Sequence, residues 1–188
     1  MNLVIFGPPG AGKGTQSKFI VKKFNMYQLS TGEFLRKEML KNTSTGKKIS
    51  SVINSGELVS DEIVSDLIEK IISDNQYKNR IIFDGYPRNL NQAHNLEKLL
   101  KKHNQKIDLV LKLTVSLNTI KKRILERSAQ EKRSDDSEEI AIKRYETYEK
   151  STEPVIEYYK KSNLLKVIDG ERSIDQINKE ISDIINLI

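Results

Sequence analysis

The apolar run LVIF, Leu3 to Phe6, leads directly into GPPGAGKGT, Gly7 to Thr15, and from there into the helical pattern KGTQSKFIVKKF. A strand that ends in a glycine-rich turn opening a helix aims several backbone N–H groups and a helix N-terminus at one point, which suits a phosphate chain. The turn fits the phosphate-binding pattern G-x-x-x-x-G-K-[ST] at Gly7, Gly12 and Lys13. It departs from the pattern at Gly14, where a hydroxyl residue belongs, and the hydroxyl arrives one place late at Thr15. Lys13 supplies a mobile positive charge for terminal phosphates. This combination implies a nucleoside triphosphate and leaves the reaction open.

The rest of the chain repeats the same alternation. Strand-length apolar runs recur at Tyr27 to Leu29 (a weak one), Arg80 to Asp84, Leu109 to Thr114 and Leu165 to Ile168. Between them lie amphipathic patterns such as Leu96, Leu99 and Leu100, or Ile177, Ile181, Ile184 and Ile185. Such alternation predicts an α/β fold, an open, doubly wound parallel sheet with helices on both faces. Ligands of these sheets sit at the carboxyl ends of the strands, where the loops 7–15 and 84–88 fall. Two segments interrupt the alternation. Ser30 to Ile72 reads as several helices in a row, punctuated at Asn42 to Gly46 and at Ser55-Gly56, which predicts an inserted helical flap. SAQEKRSDDSEE, Ser128 to Glu139, reads as a short polar loop between two helical patterns, mobile or simply a solvated connection.

Composition narrows the function. With no cysteine among 188 residues there is neither a disulfide framework nor a thiolate metal site, and His94 and His103 have no ligand-like partners near them in sequence, so no structural zinc is expected. No basic region precedes the first apolar run, and no stretch reaches the roughly 20 apolar residues of a membrane span, so a cytoplasmic protein is expected. The net charge of +6 fits small anions as well as nucleic acid, because the basic residues are spread along the chain. Lysines number 24 and arginines only 8, so each arginine raises the question of whether a planar, bidentate fork is needed there.

Ser30-Thr31-Gly32-Glu33 has capping-box spacing and places Arg36 just inside a helix, either as a routine cap with a surface arginine or as a second anion site. In RIIFDGYPRNLNQ, Asp84 ends a strand, as a structural aspartate or as a carboxylate that holds magnesium through water. Gly85 then permits close backbone approach, Pro87 stiffens the turn and Arg88 can reach a phosphate. Gln92 follows, and an amide can pair at once with the ring nitrogen and the amino group of adenine. KKRILERSAQEKRSDDSEEIAIKRYETY holds Arg123, Arg127, Arg133 and Arg144, half of all the arginines. It reads as a charged helix-loop-helix surface or as a set of phosphate-binding forks. Asp136 and Glu139 have cap-like spacing for the helix that follows.

GPPGAGKGTQ, STGEFLR, Glu57-Leu58-Val59, DGYPR and the arginine-rich segment occur in the order that resembles the nucleoside monophosphate kinases, and the adenylate kinases in particular, over nearly the whole chain to about Asp175. The resemblance implies a P-loop NTPase fold: a single domain, 1–188, with a five-stranded core (1–29, 60–126 and 137–188), an NMP-binding flap (30–59) and a short lid (127–136). It implies ATP at Gly10, Ala11, Gly12, Lys13, Gly14 and Thr15, with Arg127, Arg123 against the adenine, and Arg172. It implies AMP at Thr31, Arg36, Glu57, Leu58, Val59, Gly85, Tyr86, Pro87, Arg88 and Gln92, with Arg133 and Arg144 reaching across both nucleotides. It implies Lys13, Arg88, Arg127, Arg133 and Arg144 as the catalytic candidates, and Mg2+ with ATP, held near Asp84 through water. The partners implied are ATP, AMP and ADP, with no nucleic acid and no membrane, for a monomer. Thr31 and Gln92 resemble the AMP-selective pattern; the alternative is a UMP/CMP kinase of the same fold. Two departures from the family pattern are Glu33, where aspartate is usual, and Glu131-Lys132-Arg133, which lacks the usual glycine.

Overall fold

β1 (Leu3–Phe6) is buried along its whole length, as a strand covered on both faces of a parallel sheet must be. The computed structural model describes residues 1–41, 43–131 and 137–188. It places β1 at the centre of a five-stranded, all-parallel sheet with β2 (Tyr27–Ser30), β3 (Ile81–Asp84), β4 (Leu109–Thr114) and β5 (Leu165–Asp169), in the order β2-β3-β1-β4-β5. The strand period of two divides the core between the faces. Val4, Phe6, Phe83 and Val110 pack into one cluster, and Leu3, Ile5, Ile82 and Leu111 into the other. The doubly wound α/β fold expected from the sequence is therefore the fold observed, with strand limits differing by one residue at β2, β3 and β5.

α1 (Lys13–Phe24) and α9 (Ile174–Ile185) cover the second face with Ile20, Ile177 and Ile181. The first face is covered by α4 (Asp61–Ile72), α5 (Leu90–Lys102) and α8 (Glu153–Lys160), through Ile68, Leu96 and Ile156. Ahead of α4 come α2 (Thr31–Met39) and α3 (Ser44–Asn54), the run of helices expected between Ser30 and Ile72. Ser30 caps α2 as its spacing predicts, its hydroxyl accepting from the Glu33 N–H at 3.4 Å.

The loop expected over Ser128 to Glu139 is shorter than its polarity implied. α6 (Leu117–Glu131) runs through Ser128, and α7 (Glu138–Thr147) begins at Glu138. Ala129, Gln130, Glu131, Glu138 and Glu139 include some of the best helix formers, and polar composition alone does not prevent a helix. The cap of α7 is Ser137, whose hydroxyl accepts from the Ile140 N–H at 3.3 Å, one residue later than the expected Asp136. Ile120, Ile124 and Ala141 join α6 to α7 in a small apolar cluster of their own. A π-helical segment, Tyr148–Thr152, connects α7 to α8. No helix among the described residues is long and apolar enough to cross a membrane.

Candidate active site

The chain leaves β1 toward β2 and β3 on one side and later returns with β4 and β5 on the other, and a crevice opens at the carboxyl ends of β1 and β3. Gly12 is the N-cap of α1 at φ 95°, a left-handed conformation that glycine adopts without strain, and no side chain caps this helix. The first-turn N–H groups of α1 are thus not taken up by a capping side chain and can receive an anion. The Lys13 ammonium folds back over the loop and donates to the carbonyls of Gly7 at 2.6 Å and Pro8 at 3.1 Å. Burial lowers its pKa to about 8; the Asp84 carboxylate opposes the shift, and the charges of Arg88, Arg144 and Arg127 add to it.

The second group of residues converges on Gly85, at φ 80°. A Cβ at that position would lie 2.9 Å from an Arg88 guanidinium nitrogen and 2.9 Å from the Thr31 hydroxyl, so only glycine lets both approach. The Gly85 carbonyl accepts from Thr31 Oγ1 at 2.8 Å and from Arg88 Nε at 2.7 Å. The backbone of Arg88 is held as well: its N–H donates to Gln92 Oε1 at 2.7 Å and its carbonyl accepts from Thr152 Oγ1 at 3.0 Å. Arg88 is therefore anchored at three points, its backbone at two and its guanidinium at one. The Tyr86–Pro87 peptide bond between these residues is cis.

One cleft gathers Lys13, Thr31, Arg36, Arg88, Gln92 and Arg144, with Glu57, Leu58 and Val59 from the segment between α3 and α4 in its wall. Across the cleft the turn after α3 meets α7, where Thr147 donates to the Gly56 carbonyl at 3.2 Å. Other residues expected at the site lie outside the cleft. The Tyr86 ring is buried in the core and its hydroxyl donates to the Gln92 carbonyl at 3.2 Å. Arg123 ties the phosphate loop to the turn after β5, donating to the Gly170 carbonyl at 2.9 Å and the Ala11 carbonyl at 3.5 Å. Arg172 pairs with Glu180 of α9 and donates to the Asp169 carbonyl. Thr15 is exposed beside the loop. Arg133, with Asp135 and Asp136, lies outside the described residues.

Four polar residues at or behind the cleft escape a reading of the sequence. Gln28 donates to Asp84 Oδ2 at 2.8 Å and so orients the strand-end carboxylate. Thr152 holds Arg88, and Asp61 accepts from Gln92 Nε2 at 2.6 Å. Tyr148 lines the cleft with a buried hydroxyl that has no hydrogen-bond partner among the described residues, and burial holds that hydroxyl well above the usual tyrosine pKa. Nothing in the spacing of these residues distinguishes them from ordinary polar groups on helices and edge strands. Only the π-helical segment, which carries both Tyr148 and Thr152 into the cleft, is a recurrent companion of functional sites.

A parallel sheet whose central strand feeds a glycine-rich loop and a lysine at a helix N-terminus defines a phosphate-binding α/β protein of the P-loop class. The sequence model of the adenylate kinase family matches residues 5–164. Among curated relatives, an adenylate kinase of Pelagibacter ubique is 45% identical, with 100% of both chains covered. One from Caulobacter sp. strain K31 is 39% identical, again with 100% of each chain covered, and one from Archaeoglobus fulgidus is 36% identical over 100% of this chain and 99% of its own. The chain belongs to the adenylate kinase family and is a phosphotransferase.

Proposed function

We propose that this chain transfers the terminal phosphoryl group of ATP to AMP, reversibly, giving two ADP, and so balances the adenine nucleotide pool. The observation that carries the reading is the meeting of two anion-binding groups in one cleft: Lys13 and the α1 N-terminus on one side, Arg36 and Arg88 on the other. Thr31 and Gln92 at the second group support adenine as the acceptor base, since an amide matches its adjacent donor and acceptor.

The acceptor phosphate has a second pKa of about 6 and is already dianionic at neutral pH, so the reaction calls for no general base. Its demands are alignment and positive charge around a loose transition state. Arg88 meets the first through its triple anchoring, and Lys13 is joined by Arg127 and Arg144, whose charges act on it. Arg133 completes the set in this reading. Residues 30–59 serve as the flap over AMP and 127–136 as the short lid over ATP, excluding water that would otherwise hydrolyse the donor. Arg123 and Arg172 lie at the adenine end of the ATP site, where their hydrogen bonds shape the backbone walls.

Asp84 fits a magnesium ion held through water. Gln28 occupies one of its oxygens, the carboxylate interacts with Lys13, and no other acidic or imidazole groups gather with it into a metal cage among the described residues. Bound magnesium would neutralise charge on the phosphate oxygens. The test is ADP formation from Mg-ATP with AMP, CMP or UMP offered separately, alongside chelator and no-acceptor controls. Activity confined to AMP is expected; turnover of CMP or UMP in preference to AMP, or ATP hydrolysis without an acceptor, would overturn the reading.

A further inference from the structure

Gln92 is 4% exposed and its amide is held at both ends. Nε2 donates to Asp61 Oδ1 at 2.6 Å, and Oε1 accepts from the Arg88 N–H at 2.7 Å. The chemistry of the two partners leaves one orientation for the amide. An ionised carboxylate only accepts and a backbone N–H only donates, so turning the amide over would set oxygen against oxygen at Asp61 and N–H against N–H at Arg88. Each end keeps capacity for one more hydrogen bond: a second amide proton on Nε2 and a second lone pair on Oε1. That leaves a donor and an acceptor, in fixed order, on a side chain that lines the cleft.

We propose that Asp61 is a specificity-determining positioning residue, which sets the polarity of the Gln92 amide and thereby makes the acceptor site read a 6-amino purine rather than a 6-oxo purine. The proposal rests on the reading of the cleft as an AMP site. Adenine presents an amino donor next to a ring-nitrogen acceptor, whereas hypoxanthine presents an oxygen acceptor in place of the amino group. An amide of fixed polarity pairs with the first and is mismatched to the second, whereas an amide free to turn discriminates poorly. Asp61 is well placed to impose this. It is the first residue of α4, directly beyond the flap, and it also accepts from Asn89 Nδ2 at 3.0 Å and 3.3 Å. Asn89 caps α5 by accepting from the Gln92 N–H at 2.8 Å, so the carboxylate fixes both the residue and the turn that carries it.

The experiment compares kcat and KM for AMP and for IMP, at saturating Mg-ATP, in the unaltered protein and in Asp61→Asn, which can donate as well as accept and so releases the amide. The expected result is a rise in the AMP KM and a fall in the AMP-to-IMP ratio of kcat/KM, each on the order of ten-fold. A folded Asp61→Asn protein with an unchanged ratio would overturn the proposal, because a purely structural carboxylate would affect both purines alike. A second readout uses the unaltered protein: on titration with AMP, one Gln92 side-chain amide proton is expected to keep its NMR shift and the other to move. Displacement of both would show that the Asp61 bond is given up, and would equally overturn it. Failure of the underlying reading looks different, since an unaltered protein that prefers CMP or UMP would remove Gln92 itself from adenine recognition.

Discussion

Lys13 carries the strongest electrostatic consequence at a single position. Its ordinary pKa of 10.5 is lowered to about 8, chiefly by burial, so the ammonium that a phosphate requires is lost as pH rises through about 8. Arginines keep their charge far beyond that range, and the falling limb therefore belongs to the lysine. We predict that kcat/KM for ATP declines about ten-fold per pH unit above pH 8, while kcat declines later because a bound phosphate restores the charge. A profile flat to pH 10 would contradict this. The sign for stability is the reverse: between about 8 and 10.5 the unfolded chain binds the extra proton, so this group makes the fold more stable as pH rises through that window. Arg88 supplies the second prediction at this scale. Arg88→Lys keeps a charge but loses the Nε bond to Gly85 and the planar fork, and kcat is expected to fall by at least ~10²-fold; near-normal turnover would remove Arg88 from the mechanism.

At the level of elements, the proposed flap, residues 30–59, depends on how closely α2 and α3 approach. A Cβ on Gly46 would lie 2.6 Å from the Glu38 carbonyl oxygen, which is backbone and unable to swing aside. Gly46→Ala is expected to push α3 from α2, raising the AMP KM several-fold while leaving the ATP KM in place; equal KM values for the variant and the unaltered protein would show that the flap accommodates the shift. The π-helical segment acts on the other side of the cleft. Thr152→Val preserves shape but leaves the Arg88 carbonyl without its hydroxyl donor, a loss of ~1–3 kcal/mol that a urea unfolding midpoint will register. Helix ends themselves were legible in sequence where a short side chain serves its own backbone, as at Ser30. The start of α7 was misread by one residue, because Asp136 and Ser137 are both good caps and spacing alone does not choose between them.

Across the whole molecule, stability is unevenly distributed. The central strands β1, β3 and β4 are buried on both faces, and large side chains such as Phe83, Leu3 and Ile81 are fully enclosed there. The flap contributes less to the core, chiefly Leu35, Ile49 and Val59. Amide exchange is expected to be slowest in β1, β3 and β4 and fastest in the flap, with AMP protecting residues 31–61 more than ATP does. Uniform protection of flap and sheet without ligand would contradict that picture. The sheet, the glycine-rich loop and the run of helices after β2 were legible in the sequence because each is encoded locally: a strand period of two, a glycine pattern, a cap spacing. The supporting contacts were not. Gln28, Asp61 and Thr152 are 56, 31 and 64 residues from the groups they hold, and a polar side chain on a helix or an edge strand gives no sign of which partner it will meet. The sequence by itself determined the parallel sheet, the glycine-rich loop and which candidate residues the strand ends carry. Only the tertiary structure decided how those residues are oriented, because a hydrogen bond over such separations is fixed by packing of the elements and leaves no periodicity in the chain.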